Sequence, residues 1–178
     1  MSDDPILWRR FKQGDQKAFE ALFLHHHRPL FQYGSKMLRD RQVLDDCIQE
    51  LFLELWDTRE RLTDVVSVRA YLFRALKFKL ARAIKKRAAH SELSEEGTEL
   101  LAFSYETELI ARQTDADQRE RLLRSVRQLT RRQQEVIYLR FYNQMSYEEI
   151  SVTMDISYQA VVNLVSQALK ALRVIYIA

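Results

Sequence analysis

The chain has only 3 glycines and 2 prolines in 178 residues. Sheets need such residues at their turns, where the backbone takes positive φ or a fixed φ. A chain this poor in them must turn its corners with polar side chains, and long helices joined by short turns demand the fewest special residues. The expected fold is therefore all-α. An apolar content of 47% supplies a core and 30% charged residues supply a soluble surface. The length has room for one domain or two small ones. Cys47, the single cysteine, excludes an internal disulfide framework and fits a reducing cytosol. The N-terminus lacks the basic start and apolar core of a secretory signal, and no run of about 18 apolar residues occurs. A cytoplasmic protein without membrane insertion is expected.

The net charge of +3 becomes informative once it is mapped along the chain. Residues 65–87 carry eight Lys/Arg and no acid, whereas residues 88–117 carry eight acids against one arginine. The chain then turns basic again through Arg119, Arg121, Arg124, Arg127, Arg131 and Arg132. Blocks of this kind mark organisation. They predict a first helical domain over 5–87, an acidic linker over 88–116 and a second helical domain over 117–178. The linker carries a pattern for a short amphipathic helix around Leu100 to Ile110.

The first domain reads as helices. Asp15 is a candidate N-cap for the stretch "DQKAFEALFLHHHRPLFQYGSKML", and Pro29 marks a kink or an early turn. In "RQVLDDCIQELFLELWDTRERL", a spacing of 100° per residue puts Leu44, Ile48, Leu51, Phe52 and Leu55 on one side. Asp46, Gln49, Glu50, Leu53, Glu54 and Asp57 fall opposite, with Trp56 at the margin. An acidic face holding an exposed leucine suits a basic partner; a merely solvated face explains the pattern equally well. In "SVRAYLFRALKFKLARAIKKR", Tyr71, Leu72, Ala75, Leu76, Leu80 and Ile84 point to a core. Phe73 and Phe78 sit among Arg74, Lys77 and Lys79. Cations follow a phosphate backbone and rings stack on unpaired bases, so this helix is a candidate nucleic-acid surface.

The second domain contains a helix break without glycine. Thr130 caps a helix whose apolar face is Val136, Ile137, Leu139, Phe141 and Tyr142. Ser146 and Glu149 have the spacing of a capping box, and Ile150 and Met154 face inward. Asp155 tolerates a left-handed backbone, Ile156 fills the gap between helices, and Ser157 caps the next helix. This pattern predicts a helix-turn-helix whose second helix enters the major groove. That helix turns Val161, Val165, Ala168, Leu172 and Ile175 inward. It turns Gln159, Asn163, Ser166, Gln167, Lys170 and Arg173 outward. Gln and Asn can bond adenine in bidentate fashion, and Arg131 and Arg132 suit phosphates.

These stretches, in this order, resemble the extracytoplasmic-function (ECF) sigma factors, the two-domain class of the sigma-70 family of bacterial transcription initiation factors. "AFEALFLHHHRPLFQY" is similar to the family's opening helix and "LDDCIQELFLELW" to its most characteristic segment. "VRAYLFRALKFKLARAIKKR" stands where the family recognises the promoter −10 element. "LTRRQQEVIYLRFYNQMSYEEISVTMDISYQAVVNLVSQALKALR" resembles the −35-reading domain. The resemblance implies that Asp46, Gln49, Glu50, Leu53 and Trp56 grip the clamp helices of the polymerase β′ subunit. It places −10 DNA against Arg69, Tyr71, Arg74, Lys77, Phe78, Lys79, Arg82, Lys85 and Lys86, with a flipped base near Thr63 to Ser67. It places −35 DNA against Arg131, Arg132, Ser157, Gln159, Asn163, Ser166, Gln167 and Lys170, with the second domain on the polymerase β flap. Core RNA polymerase, promoter DNA and an anti-sigma factor are the implied partners, with no catalysis and no cofactor. The chain departs from the family pattern at Phe78, Arg82, Asp155, Val162 and Leu164.

Two other classes fit parts of the sequence: a dimeric helix-turn-helix regulator acting without polymerase, and an interaction bundle that never touches DNA. No Ser/His/Asp order, P-loop or glycine-rich phosphate cradle occurs. Histidines 25 to 27 are consecutive, so they diverge by about 100° and cannot all face one ion; no metal site is expected. Cys47 reads as an inert thiol. Charge further suggests that the acidic linker covers the basic face of the first domain and suppresses DNA binding by the free protein.

Overall fold

A computed structural model describes residues 4–90 and 116–177, with side chains placed over 4–87 and 122–174. The expected linker, its amphipathic helix and its cover of the basic face lie outside these residues. The chain divides into two compact units, Met1–Leu101 and Ala102–Ala178. Every regular element among the described residues is helical, as the turn-poor composition requires. No described helix is long and apolar enough to cross a membrane.

The first unit holds α1 (Asp4–Lys12), α2 (Gln16–Gly34), α3 (Arg41–Thr58) and α4 (Val68–His90). Asp15 caps α2 as expected, accepting from the Lys17 and Ala18 amides at 2.9 and 3.1 Å. The helix continues through Pro29 to Gly34 without the early turn the sequence suggested. Asp40 caps α3 through the Val43 amide and also meets Arg87 at 2.7 Å, which ties the start of α3 to α4. The apolar side of α3 is buried as read from its periodicity: Leu44, Ile48, Leu51, Phe52 and Leu55 are all interior.

Helix α1 is the element that the sequence reading passed over. Trp8 and Phe11, one turn apart, are both buried. Trp8 packs edge-on to Tyr71 of α4, and Phe11 stacks on Phe19 of α2. The Trp8 indole N–H also donates to the Thr63 carbonyl at 3.3 Å, and Lys12 pairs with Asp64 at 2.8 Å. That pairing holds the Asp64 carboxyl below its ordinary range. Helix α1 thus fixes the loop between α3 and α4 at two points.

Helices α2, α3 and α4 converge on Gly34. A Cβ there would collide with Leu44 Cδ1 and meet Leu80 Cδ1 at 3.4 Å. Leu44 and Leu80 are fully buried and have no space to withdraw into. The missing side chain is therefore what allows the three helices to approach.

The second unit holds α5 (Ala116–Arg127), α6 (Arg131–Ile137), α7 (Tyr147–Met154) and α8 (Tyr158–Ile177). Both expected caps are present in reciprocal form, Thr130 with Gln133 and Ser146 with Glu149. Asp155 takes the left-handed conformation (φ 56°, ψ 50°) that ends α7, and Ser157 accepts from the Ala160 amide at 3.2 Å to open α8. Side-chain caps and one strained aspartate thus make the turn that glycine makes in other chains.

One expectation in this unit fails. Phe141 was expected in the core but is 51% exposed. The segment Tyr138–Tyr142 is a π turn, in which the Asn143 amide bonds back to the Tyr138 carbonyl at 3.1 Å. The extra residue adds roughly 100° within this helix, so the 3.6-residue projection that holds through Leu139 misplaces Phe141. Met145, the next core residue, is anchored by its own amide to Leu139 and by Arg140, whose guanidinium donates to the Met145 carbonyl at 2.8 Å.

Two stability measurements test these readings. Gly34→Ala should destabilise the first unit by about 1–3 kcal/mol in urea unfolding, the usual cost of overpacking. Adding Leu44→Val should recover part of that loss, because the two changes share one contact. Ser146→Ala should cost the second unit about 1 kcal/mol through loss of the cap, read as a lower unfolding midpoint.

Candidate nucleic-acid and protein interfaces

The outward face of α3 has the composition the sequence predicted. Asp46, Gln49, Glu50, Glu54 and Asp57 are exposed, and Leu53 stands among them at 64% exposure. Trp56 is only half exposed. Its ring packs on Phe19 and Phe11 at 5.0 and 6.3 Å, and the Arg59 guanidinium lies over it at 4.5 Å. The tryptophan therefore offers an edge at the end of the acidic strip.

Lys79 of α4 reaches this same strip. Its ammonium lies 2.7 Å from Glu54 and 3.3 Å from Glu50, and its side chain is 14% exposed. Burial alone would lower its pKa, but the two carboxylates outweigh that effect and hold it above the ordinary lysine value. A groove of about 560 Å³ runs beside this bridge, with Asp46 and Glu50 on one wall, Lys79 and Arg82 on the other, and Cys47 among its lining residues. Burial, reinforced by the nearby Glu50 charge, pushes the Cys47 thiol up, which favours its protonated form.

The basic residues of α4 divide by environment. Arg82, Lys85, Lys86 and Phe78 are exposed, whereas Arg69, Tyr71, Arg74 and Lys77 are half-buried. The Arg74 guanidinium lies over the Phe78 ring at 5.6 Å, and the ring is 48% exposed. Phe73 departs from the expectation of a stacking ring. It is fully buried against Tyr33 at 4.9 Å, because it lies only about 60° from Leu76 on the helix and so shares the core side. Of the two phenylalanines, only Phe78 is at the surface. The loop at 62–67, held by α1, presents Val66 almost wholly to solvent.

In the second unit, Arg131 and Arg132 are exposed at the start of α6. Along α8, Ser157, Gln159, Asn163, Ser166, Gln167 and Lys170 all face solvent, while Val161, Val165 and Ala168 are buried. Gln159 and Asn163 share an amide hydrogen bond at 3.1 Å, one turn apart, which aligns their remaining donors and acceptors outward. The Ile175 side chain lies outside the described ones. The face that the helix periodicity assigned to DNA is therefore a continuous polar strip.

Trp8 and Lys12 of α1, which hold the loop at 62–67 in the first unit, were not named from the sequence. The available signal was a proline just inside a helix start, followed by Trp8 and Phe11 at helical spacing.

Comparison with known proteins agrees with this layout. The model for sigma-70 region 2 matches residues 22–90, and the model for sigma-70 region 4 matches residues 119–172. The ECF RNA polymerase sigma factor SigK of Mycobacterium ulcerans (strain Agy99) is 25% identical over 177 residues, spanning 97% of this chain and 93% of the relative. Its namesake in Mycobacterium tuberculosis (strain ATCC 25618 / H37Rv) is 24% identical over 176 residues, spanning 97% and 92%. Among solved structures, CnrH in complex with the cytosolic domain of CnrY shares the fold with a TM-score of 0.64 at 24% identity, covering 97% of this chain and 96% of that one. The sigma factor RpoE of Bartonella quintana, solved with the anti-sigma factor NepR, gives 0.63 at 16% identity, covering 89% and 96%. With its two helical units matched in turn by region 2 and region 4, and with relatives aligned along nearly its whole length, the chain belongs to the sigma-70 family as an ECF RNA polymerase sigma factor, which directs the polymerase to promoters and is not an enzyme.

Proposed function

We propose that this sigma factor docks on the β′ clamp helices of core polymerase through the outward face of α3: Asp46, Gln49, Glu50, Leu53 and the edge of Trp56. The observation that carries this reading is Leu53, 64% exposed at the centre of an acidic strip. An exposed leucine there gains about 1.5–3 kcal/mol when a partner covers it, and the surrounding carboxylates select a basic partner. Lys79 serves as a brace that fixes Glu50 and Glu54 in place, a role different from the DNA contact that charge alone suggested.

The −10 element then lies along α4, with Arg82, Lys85 and Lys86 on phosphates and the exposed ring of Phe78 stacking on an unpaired base. Arg69, Tyr71, Arg74 and Lys77 line the half-buried part of this surface. The loop at 62–67, tied to α1 through Thr63 and Asp64, receives a flipped base, whose unpairing costs a few kcal/mol. In the second unit, Gln159, Asn163, Ser166, Gln167 and Lys170 read the −35 groove, while Ser157, Arg131 and Arg132 hold its backbone, and this unit docks on the β flap. One structural neighbour was solved with the cytosolic domain of CnrY and another with the anti-sigma factor NepR, which supports an anti-sigma factor as a further partner here.

In-vitro transcription with purified core polymerase and a promoter library tests the assignment. Wild-type protein should bind core and initiate at a distinct promoter class. Leu53→Ala should weaken core binding by about tenfold; unchanged affinity would remove the α3 face from the interface. Binding of a palindromic site without core would instead favour a dimeric helix-turn-helix regulator.

The groove-reading residues make a separate prediction. Gln159→Ala and Asn163→Ala should each reduce initiation at −35-bearing promoters by about tenfold while leaving core affinity intact. Equal losses on promoters with a scrambled −35 element would show that α8 does not read sequence.

A further inference from the structure

The three consecutive histidines of α2 separate as helix geometry demands, but two of them converge on another helix. His27 turns to Asp45 of α3, at 3.1 Å. His25 and His26 turn toward α1, where the Asp4 carboxylate lies between them. Asp4 Oδ1 is 3.0 Å from His25 Nδ1, and Asp4 Oδ2 is 3.2 Å from His26 Nε2. Neighbouring rings 100° apart can meet in this way because one presents Nδ1 and the other Nε2, and the third group approaches from outside the helix.

His26 is 3% exposed, and its Nε2 lies at ion-pair distance from Asp4 without making a hydrogen bond of acceptable geometry. An unsatisfied buried ring nitrogen is unusual and calls for an explanation. Two imidazoles and a carboxylate, with their donor atoms all within 4.8 Å of one another, supply one.

We propose that Asp4, His25 and His26 form a binding site for one divalent transition metal of the zinc type. A tetrahedral ion with ligands at about 2.0–2.1 Å separates neighbouring donors by about 3.4 Å. Each histidine nitrogen already lies near this distance from one Asp4 oxygen, His25 Nδ1 at 3.0 Å from Oδ1 and His26 Nε2 at 3.2 Å from Oδ2, so a turn of the carboxylate would bring one oxygen to a shared ion. His25 is exposed, so its ring can swing to close the separation between the two ring nitrogens. Imidazole nitrogens select zinc, nickel or copper over magnesium and calcium, which prefer all-oxygen shells. The fourth position opens to water on the His25 side. Arg69 is a nearby cation whose charge is felt at His26; it opposes a bound metal and sets an affinity below that of a buried structural zinc. A metal here would staple α1 to α2, and through Trp8 and Lys12 it would stiffen the loop at 62–67.

Zinc titration of the chelator-stripped, full-length protein tests the site, with cobalt as a spectroscopic stand-in. The expected result is one equivalent bound per chain, tetrahedral cobalt absorption, and a melting temperature raised by several degrees in zinc. His25→Ala, an exposed position that leaves the fold intact, should weaken binding by at least about 100-fold, since loss of a mere supporting residue already costs about 10–100-fold. Asp4→Asn should do the same, and His27→Ala should bind as wild type does. Binding that survives in His25→Ala and Asp4→Asn, or no stoichiometric binding by the wild-type chain, would overturn the proposal.

Discussion

The first unit depends on one close crossing. Gly34 lets α2 lie against Leu44 of α3 and Leu80 of α4, and that approach decides how α3 and α4 are placed side by side. Once they are, the apolar side of α3 is consumed by the core and its acidic side has nowhere to go but outward. The same placement brings Lys79 within reach of Glu50 and Glu54. A single absent side chain in the interior thus conditions the charge pattern of the surface.

The two faces of the unit follow from this arrangement. Acidic and basic side chains meet along the α3–α4 groove, where Lys79 pairs with Glu50 and Glu54 and Arg87 with Asp40. Beyond these pairs, the outward strip of α3 is acidic and the end of α4 is basic. A factor that must touch both a protein and DNA gains from keeping the two signs apart, because each surface then repels the other's partner. The second unit has no such division. The exposed strip of α8 is rich in amides and carries Lys170, with Arg131 and Arg132 exposed at the start of α6.

Periodicity and capping made most of this layout legible in advance. Leu44 through Leu55 and Val161 through Ala168 sit where a 100° projection puts them, and Asp15, Thr130, Ser146 and Asp155 end or begin helices as their chemistry dictates. Phe141 escaped because a π turn has no strong sequence signature and shifts the phase within its own helix. Phe73 escaped because a helix with basic flanks invites aromatic rings to be read as surface, although its angle to Leu76 placed it inside. The convergence of Asp4 on His25 and His26 was invisible for a different reason: it joins residues about twenty positions apart on helices whose packing no local pattern encodes. Lys79 likewise finds its acids across a tertiary contact, where composition along one helix says nothing.

The π turn at Tyr138–Tyr142 also bears on how this fold can diverge. A π turn is an α turn with one residue to spare, so the loss of a single codon within it leaves an ordinary helix instead of a broken one. A change of length there would keep the helix, just ahead of α7 and α8. It would re-aim buried Met145 and the cap at Ser146 together, and so rotate α7 and α8 as a block while their own residues stayed the same.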